Sequence, residues 1–250
     1  MTKSLMGGHA FGLALLLVVL VPTSAVHAAA SLVVRPTRVV ITEDQDIVAI
    51  TVDNQGDTET AIQMQLMKWS QRDGEDVYEP SDDMGLMACP PLFVVGAGST
   101  QIVRVGLEQD RKNWNSEEAY RLFIQEIPPE PAEGETGVQV ALRIGVPVFL
   151  PPKDFSQPNL TWHMESRGAA GLWMTVSNSG TVHALVSGVQ LSSRSGFRFA
   201  ASAHQYVLPG ATMSWRLDGL NPISGPLPDT VEFQISTDQG LYEGSLPIGK

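Results

Sequence analysis

Apolar residues alternate with polar or small ones through most of the chain, in short runs broken by Gly, Pro, Asp and Asn. Side chains on an extended strand point to opposite faces in turn, so this pattern predicts β-strands; few stretches carry the 3.6-residue period of a helix. In the first half the runs are LVVRPTRVVIT, IVAITVDN, AIQMQLMKW, LFVV, QIVRVGL, YRLFIQEI and GVQVALRIGVPVFLPP. Between them, RDGED supplies an Asp-Gly hairpin signal and VGAGST a glycine turn. About seven strands spaced in this way predict an antiparallel sandwich of immunoglobulin type.

Prolines interrupt the pattern at LPPKDFSQPN, Leu150 to Asn159, and mark a joint between two domains. Alternation resumes in LTWHM, LWMTVSN, ALVSGVQLSS, FRFA, HQYVL, TMSWRL, TVEFQIST and LYEGSLPI, a second all-β unit without a convincing sequence repeat of the first. The expected division is 31–150 for the first domain, 151–158 for the linker and 159–250 for the second.

The last run of the first half, Gly137 to Pro152, is the unusual one. It reads as a single extended strand with Val138, Val140, Leu142, Ile144, Val146 and Val148 on one face. The other face carries Gln139, Ala141, Arg143, Gly145 and Pro147. An apolar stripe on a final sandwich strand ordinarily faces its own domain. This one is much longer than the usual five or six residues, so its first half can project past the home sheet. The expectation is that Val146 and Val148 pack at home while the earlier residues need another cover. Pro147, which cannot donate to a neighbour, places part of the strand at a sheet edge.

The first 30 residues have the layout of a cleavable secretory signal: Lys3 in a polar lead, an apolar run from about Phe11 to Val21, and small residues at Ala28 and Ala30. The run is shorter than the roughly 20 apolar residues of a spanning helix. No later stretch is long and apolar enough to span, so the expected product of about 220 residues is exported, without membrane insertion after cleavage. Its one cysteine, Cys89, rules out an internal disulfide, and the apolar setting LMACPPLF predicts that it is buried. A net charge of −11 argues against nucleic acid and anionic membranes as partners.

Chemistry is sparse. His163, His183 and His204 are scattered without zinc-site spacing, and there is no Gly-x-Ser-x-Gly elbow or phosphate loop. Acidic clusters at Glu43 to Asp46, Asp73 to Asp76, and Asp82 with Asp83 fall between strands, where carboxylates usually solvate turns. No cofactor and no enzymatic activity is expected.

Read in order, four segments carry a resemblance: Arg38 in RPTRVVI, PPLFVVGAGSTQIVRVGL from Pro90 to Leu107, YRLFIQEIPP from Tyr120 to Pro129, and the long strand. Together with VSNSGTVHALVSGVQL and YVLPGATMSW in the second half, they resemble the periplasmic pilus (fimbrial) chaperones of the chaperone–usher pathway. That resemblance implies an all-β fold of two immunoglobulin-like β-sandwich domains set at an angle. It also implies a function, donor-strand complementation: the long edge strand completes the core of a pilin subunit, which is then delivered to an outer-membrane usher. The strand residues offered to the pilin groove would be Val138, Val140, Leu142 and Ile144. A structural pilus subunit or adhesin is the alternative, and such a subunit should carry a donor extension and a single incomplete sandwich.

In that family a cleft arginine and a lysine on the long strand bind the pilin's C-terminal carboxylate. Arg38 matches the arginine, but Pro147 stands at the lysine position, and Pro151 stands where the family has an arginine used between its domains. This departure resembles the archaic or alternative branches, where a Ser/Gly-x-Pro-(Val/Ile)-Phe ending occurs. Arg121 on the neighbouring strand or Arg143 on the long strand is the expected replacement cation, with Arg38 the main anchor.

Overall fold

The computed structural model of the protein describes residues 32–80, 85–108, 115–129, 140–154, 156–217 and 227–249. The expected signal over 1–30, the pair Asp82 and Asp83, and Val138 lie outside the described residues. No described helix is long and apolar enough to cross a membrane.

As far as Leu150 the described strands are β1 Leu32–Arg35, β2 Val39–Val40, β3 Ile47–Asn54, β4 Thr60–Arg72, β5 Glu75–Glu79, β6 Leu86–Cys89, β7 Leu92–Val95, β8 Thr100–Leu107, β9 Glu118–Ile127 and β10 Arg143–Leu150. They form a four-stranded sheet, β1-β3-β8-β6, and a six-stranded sheet, β2-β10-β9-β4-β5, with β7 also on β4. Alternation does the sorting. Ile50, Val52, Val103 and Val105 from one sheet meet Ile62, Leu122, Ile124, Val146 and Val148 from the other in a single core. The Asp-Gly signal turns β4 into β5, with Asp73 and Gly74 both at positive φ, 54° and 81°.

Two expectations from the alternation need correction. LVVRPTRVVIT is not one strand: β1 pairs with β3 in one sheet and β2 with β10 in the other. Pro36, which has no N–H to give either ladder, lies in the crossing. The long strand also starts later than its sequence pattern, at Arg143, with Val140 to Leu142 outside any strand.

The second half contributes β11 Leu160–Ser166, β12 Leu172–Asn178, β13 Ala184–Ser192, β14 Arg198–Val207, β15 Thr212–Arg216, β16 Thr230–Thr237 and β17 Gly240–Gly249. Their hydrogen-bonded order is β14-β13-β16-β17-β11-β12-β15, around a core that includes Met164, Met174, Val176, Val189, Val207 and Ile235. The two halves share one detail. Asn54 and Asn178 are both buried, and each donates from Nδ2 to two carbonyls: those of Thr58 and Val95, and those of Val182 and Val207. Each also accepts from the amide of a glycine two residues on, Gly56 or Gly180. A Cβ on Gly180 would sit 2.4 Å from the Gln157 carbonyl oxygen, so only glycine fits there.

A third apolar cluster joins the halves. Trp69, Ala119 and Phe149 from the first pack on Tyr206, Leu208 and Ala211 from the second. Gln71 stitches the seam, donating from Nε2 to the Tyr206 carbonyl and accepting the Leu208 amide at Oε1, both at 2.9 Å.

Candidate functional site: a free strand edge beside a charged cleft

β10 has β9 antiparallel along its whole length on one flank. On the other flank, among the described residues, only β2 covers it, at Val148 and Phe149. The Phe149 carbonyl accepts the Ile41 amide at 2.9 Å on the β2 side. Because main-chain groups alternate flanks along a strand, the N–H and C=O groups of Arg143 and Gly145 and the C=O of Pro147 point along the uncovered edge. Pro147 therefore sits where its missing N–H breaks no ladder bond among the described residues, which is where prolines are tolerated in sheets.

The side chains follow the same alternation. Val148 and Val146 are buried in the home core at 0% and 2% exposure, as the sequence predicts for them. Ile144 is half-buried at the rim of that core, Leu142 is half-buried, and Val140 is 67% exposed. The apolar stripe thus climbs out of its own domain toward its amino-terminal end. Glu126, buried on β9, marks where it leaves: Oε2 accepts the Leu142 amide at 2.8 Å, and the Glu126 amide donates to the Leu142 carbonyl at 2.9 Å. Sequence reasoning missed Glu126.

The opposite face of β10 looks into a cleft of about 830 Å³ between the two halves. Arg38, just before β2, and Arg121, on β9, both line it, together with Gly145 and Pro147. Arg121 is the register partner of Pro147, and its guanidinium lies 4.5 Å over the Trp69 ring. Its stem crosses Gly145, where an added Cβ would be 3.3 Å from Arg121 Cδ. Arg143 is not among the cleft-lining residues; its guanidinium stacks 3.8 Å above Phe123. Two of the three expected cations therefore meet in one cleft, and the third does not join them.

Arg38 is ion-paired. Its Nη1 donates to Asp238 Oδ2 at 2.6 Å, bridging the two halves. Asp238 Oδ1 accepts the Leu185 amide, and Oδ2 lies 3.7 Å from His183 Nε2. His183 is buried, stacks on Phe149 at 3.7 Å, and presents Nδ1 to Glu117 Oε1 at 2.7 Å. The same Glu117 oxygen accepts the His183 amide. Both imidazole nitrogens face carboxylates, which only accept, so the ring is placed as an imidazolium. Burial opposes that charge, but Asp238 and Glu117 outweigh it and raise the pKa above the ordinary 6.5. Burial likewise opposes ionisation of Asp238, yet His183, the Leu185 amide and Arg38 bring its pKa down to about 2.

This cation between the halves was not foreseen, since His183 had no neighbour of interest in sequence. Asp76, the other carboxylate lining the cleft, accepts from Trp69 Nε1 and Gln71 Nε2 at 2.9 Å each. Among the described residues no group of His, Cys, Asp and Glu is arranged to hold a metal ion. Cys89 is exposed, not buried as its apolar surroundings implied. Leu86 and Cys89 lie on opposite faces of β6, and it is Leu86 that points into the core.

Residues 31–156 match the model of the family described as pili and flagellar-assembly chaperone, PapD N-terminal domain. Chaperone protein FaeE of Escherichia coli is 32% identical over 126 residues, 50% of this chain and 45% of FaeE, so the chain spans less than half the length of that relative. The probable fimbrial chaperone YehC of Escherichia coli strain K12 is 24% identical over 177 residues, 65% of this chain and 72% of YehC. The solved structures similar in fold include two chaperone–subunit complexes. The CsuC-CsuE chaperone-tip adhesion subunit pre-assembly complex, from archaic chaperone-usher Csu pili of Acinetobacter baumannii, matches with a TM-score of 0.62 at 19% identity, over 88% of this chain and 99% of that chain. The Salmonella enterica SafA pilin in complex with the SafB chaperone matches with a TM-score of 0.58 at 18% identity, over 87% and 94%. These likenesses carry the architecture: two immunoglobulin-like β-sandwich domains set at an angle.

Proposed function

Because the chain belongs to the family of pili and flagellar-assembly chaperones, we propose that it is a periplasmic chaperone of a divergent, archaic-type branch. It binds pilin subunits by donor-strand complementation and hands them to an outer-membrane usher, without ATP or cofactor. Its domains are taken as 31–150 and 159–250, with 151–158 as the linker. The observation that carries the reading is the free edge of β10 beside a stripe that rises out of the home core from Val146 to Val140.

A client sandwich lacking one strand would pair its own edge with the outward groups of Arg143, Gly145 and Pro147 and cover Val140, Leu142 and Ile144. Burying an aliphatic side chain is worth about 1.5–3 kcal/mol, so three of them supply on the order of 5–9 kcal/mol before ordering and association costs. The paired edge would also remove an aggregation hazard from both molecules. Arg38 anchors the client's C-terminal carboxylate and Arg121 assists, favoured over Arg143 because it shares the cleft with Arg38.

Co-expression with the pilin subunit encoded beside this chain tests the reading. A stable periplasmic complex is expected, and Arg38→Ala should weaken it by about ten- to a hundredfold, the equivalent of one or two charge-assisted hydrogen bonds. No complex with any such subunit would favour the structural-subunit reading instead.

A further inference from the structure

Asp238 Oδ2 is engaged on one side and poised on the other. It accepts from Arg38 Nη1 at 2.6 Å, while His183 Nε2 waits 3.7 Å away. That nitrogen is buried and has no hydrogen-bond partner among the described residues. A buried donor left unsatisfied is costly, so an unpaired imidazolium N–H beside an available carboxylate is a contact ready to form. The other groups around the ring leave Asp238 as the partner for Nε2. Glu117 is committed to Nδ1, and Phe149 offers only its stacked face.

We propose that Asp238 is an internal stand-in for the client carboxylate. It occupies the Arg38 guanidinium in the unloaded protein, and the arriving C-terminal carboxylate displaces it onto His183. The idea rests on the reading of Arg38 as the anchor and adds what holds that anchor beforehand. One carboxylate replaces another, so Arg38 is never left bare in the cleft, and the freed Asp238 completes the hydrogen bonding of His183. The exchange also makes anchoring selective, because a ligand without a carboxylate cannot drive it. By linkage, client binding and the Asp238–His183 contact strengthen each other.

The test uses the full-length mature protein and a synthetic peptide of alternating valine and serine, ending either in a free carboxylate or in its amide. Wild type should bind the acid more tightly than the amide, and Arg38→Ala should abolish that preference; a preference that survives Arg38→Ala removes the anchor reading itself. Asp238→Asn should increase the acid-over-amide ratio by about three- to fivefold, the factor expected when a half-exposed ion pair no longer competes. An unchanged ratio, with the Arg38 result intact, overturns the stand-in alone.

A second measurement separates displacement from mere loss of negative charge and does not depend on the variant folding. The NMR titration midpoint of His183 in wild type should rise on saturation with the acid peptide and stay put with the amide. A midpoint unmoved by the acid peptide contradicts the proposal.

Discussion

Arg121 lies opposite Pro147 across the β9–β10 ladder, with its stem running over Gly145 and its guanidinium above the Trp69 ring. The chain thus holds a cation at the level of Pro147 in the cleft, supplied by the neighbouring strand. A Cβ at 145 would stand 3.3 Å from both Arg121 Cδ and Phe123 Cε1, a contact tight enough that both side chains must give way by a few tenths of an ångström. Gly145→Val should push Arg121 aside and weaken client binding by about tenfold, comparable to Arg121→Ala. Arg143→Ala should leave binding within about twofold. Affinities of the purified variants for the co-expressed pilin check this, and a larger loss for Arg143→Ala than for Arg121→Ala would reverse the assignment.

The gradient of exposure along β10 separates binding from stability. Val140→Asp, at a position 67% exposed, should abolish client capture while shifting the folding free energy by less than about 0.5 kcal/mol. Val146→Ala, in the sealed core, should instead cost about 1–3 kcal/mol of stability. Urea denaturation and client pull-down on the same two variants would show these as opposite profiles.

The histidine cluster predicts a pH dependence with a definite sign. The pKa of His183 is raised in the folded protein, so its contribution is fully present below about 6.5 and is lost as pH rises through the higher folded value. The pKa of Asp238 is lowered to about 2, so its contribution is present above roughly 4 and is lost as pH falls through about 2. Thermal stability should therefore decline as pH rises above about 6.5. His183→Gln should flatten that decline and lower stability by about 3–5 kcal/mol at neutral pH, because it leaves Glu117 buried without its cation. Melting temperatures of both proteins across this range are the check.

Cys89 should be accessible to thiol reagents in the native state. One equivalent of a thiol reagent is expected to react without denaturant. Reaction only after unfolding would restore the buried assignment.

How much of this was legible depended on whether a feature is local. Alternation alone separates Val146 and Val148 from Arg143, Gly145 and Pro147, because the face of a strand follows from parity. The Asp73-Gly74 turn is equally local. Parity does not say which sheet a strand joins, so the split of Leu32 to Val40 between two sheets was hidden. It also gives no register, so Arg121 and Arg143 were indistinguishable until the ladder set Arg121 against Pro147. Cys89 misled because its neighbours are apolar while its own side of β6 is not the core side. The Glu117–His183–Asp238 cluster draws one residue from each of three distant segments, and no spacing rule reaches across them. The paired Asn-x-Gly corners at Asn54 and Asn178 were present as DNQGD and SNSGT, a signal of structural equivalence too short to register as a repeat.

Amide hydrogen exchange along β10 tests the central claim most directly. In the free protein the amides of Arg143 and Gly145 face the uncovered edge and should exchange quickly, while those of Ile144 and Val146, paired to β9, exchange slowly. In the purified client complex the Arg143 and Gly145 amides should become protected by at least about a hundredfold, as a new strand pairs with them. Fast exchange at both positions in a stable complex would mean that the client binds elsewhere, and would contradict strand donation.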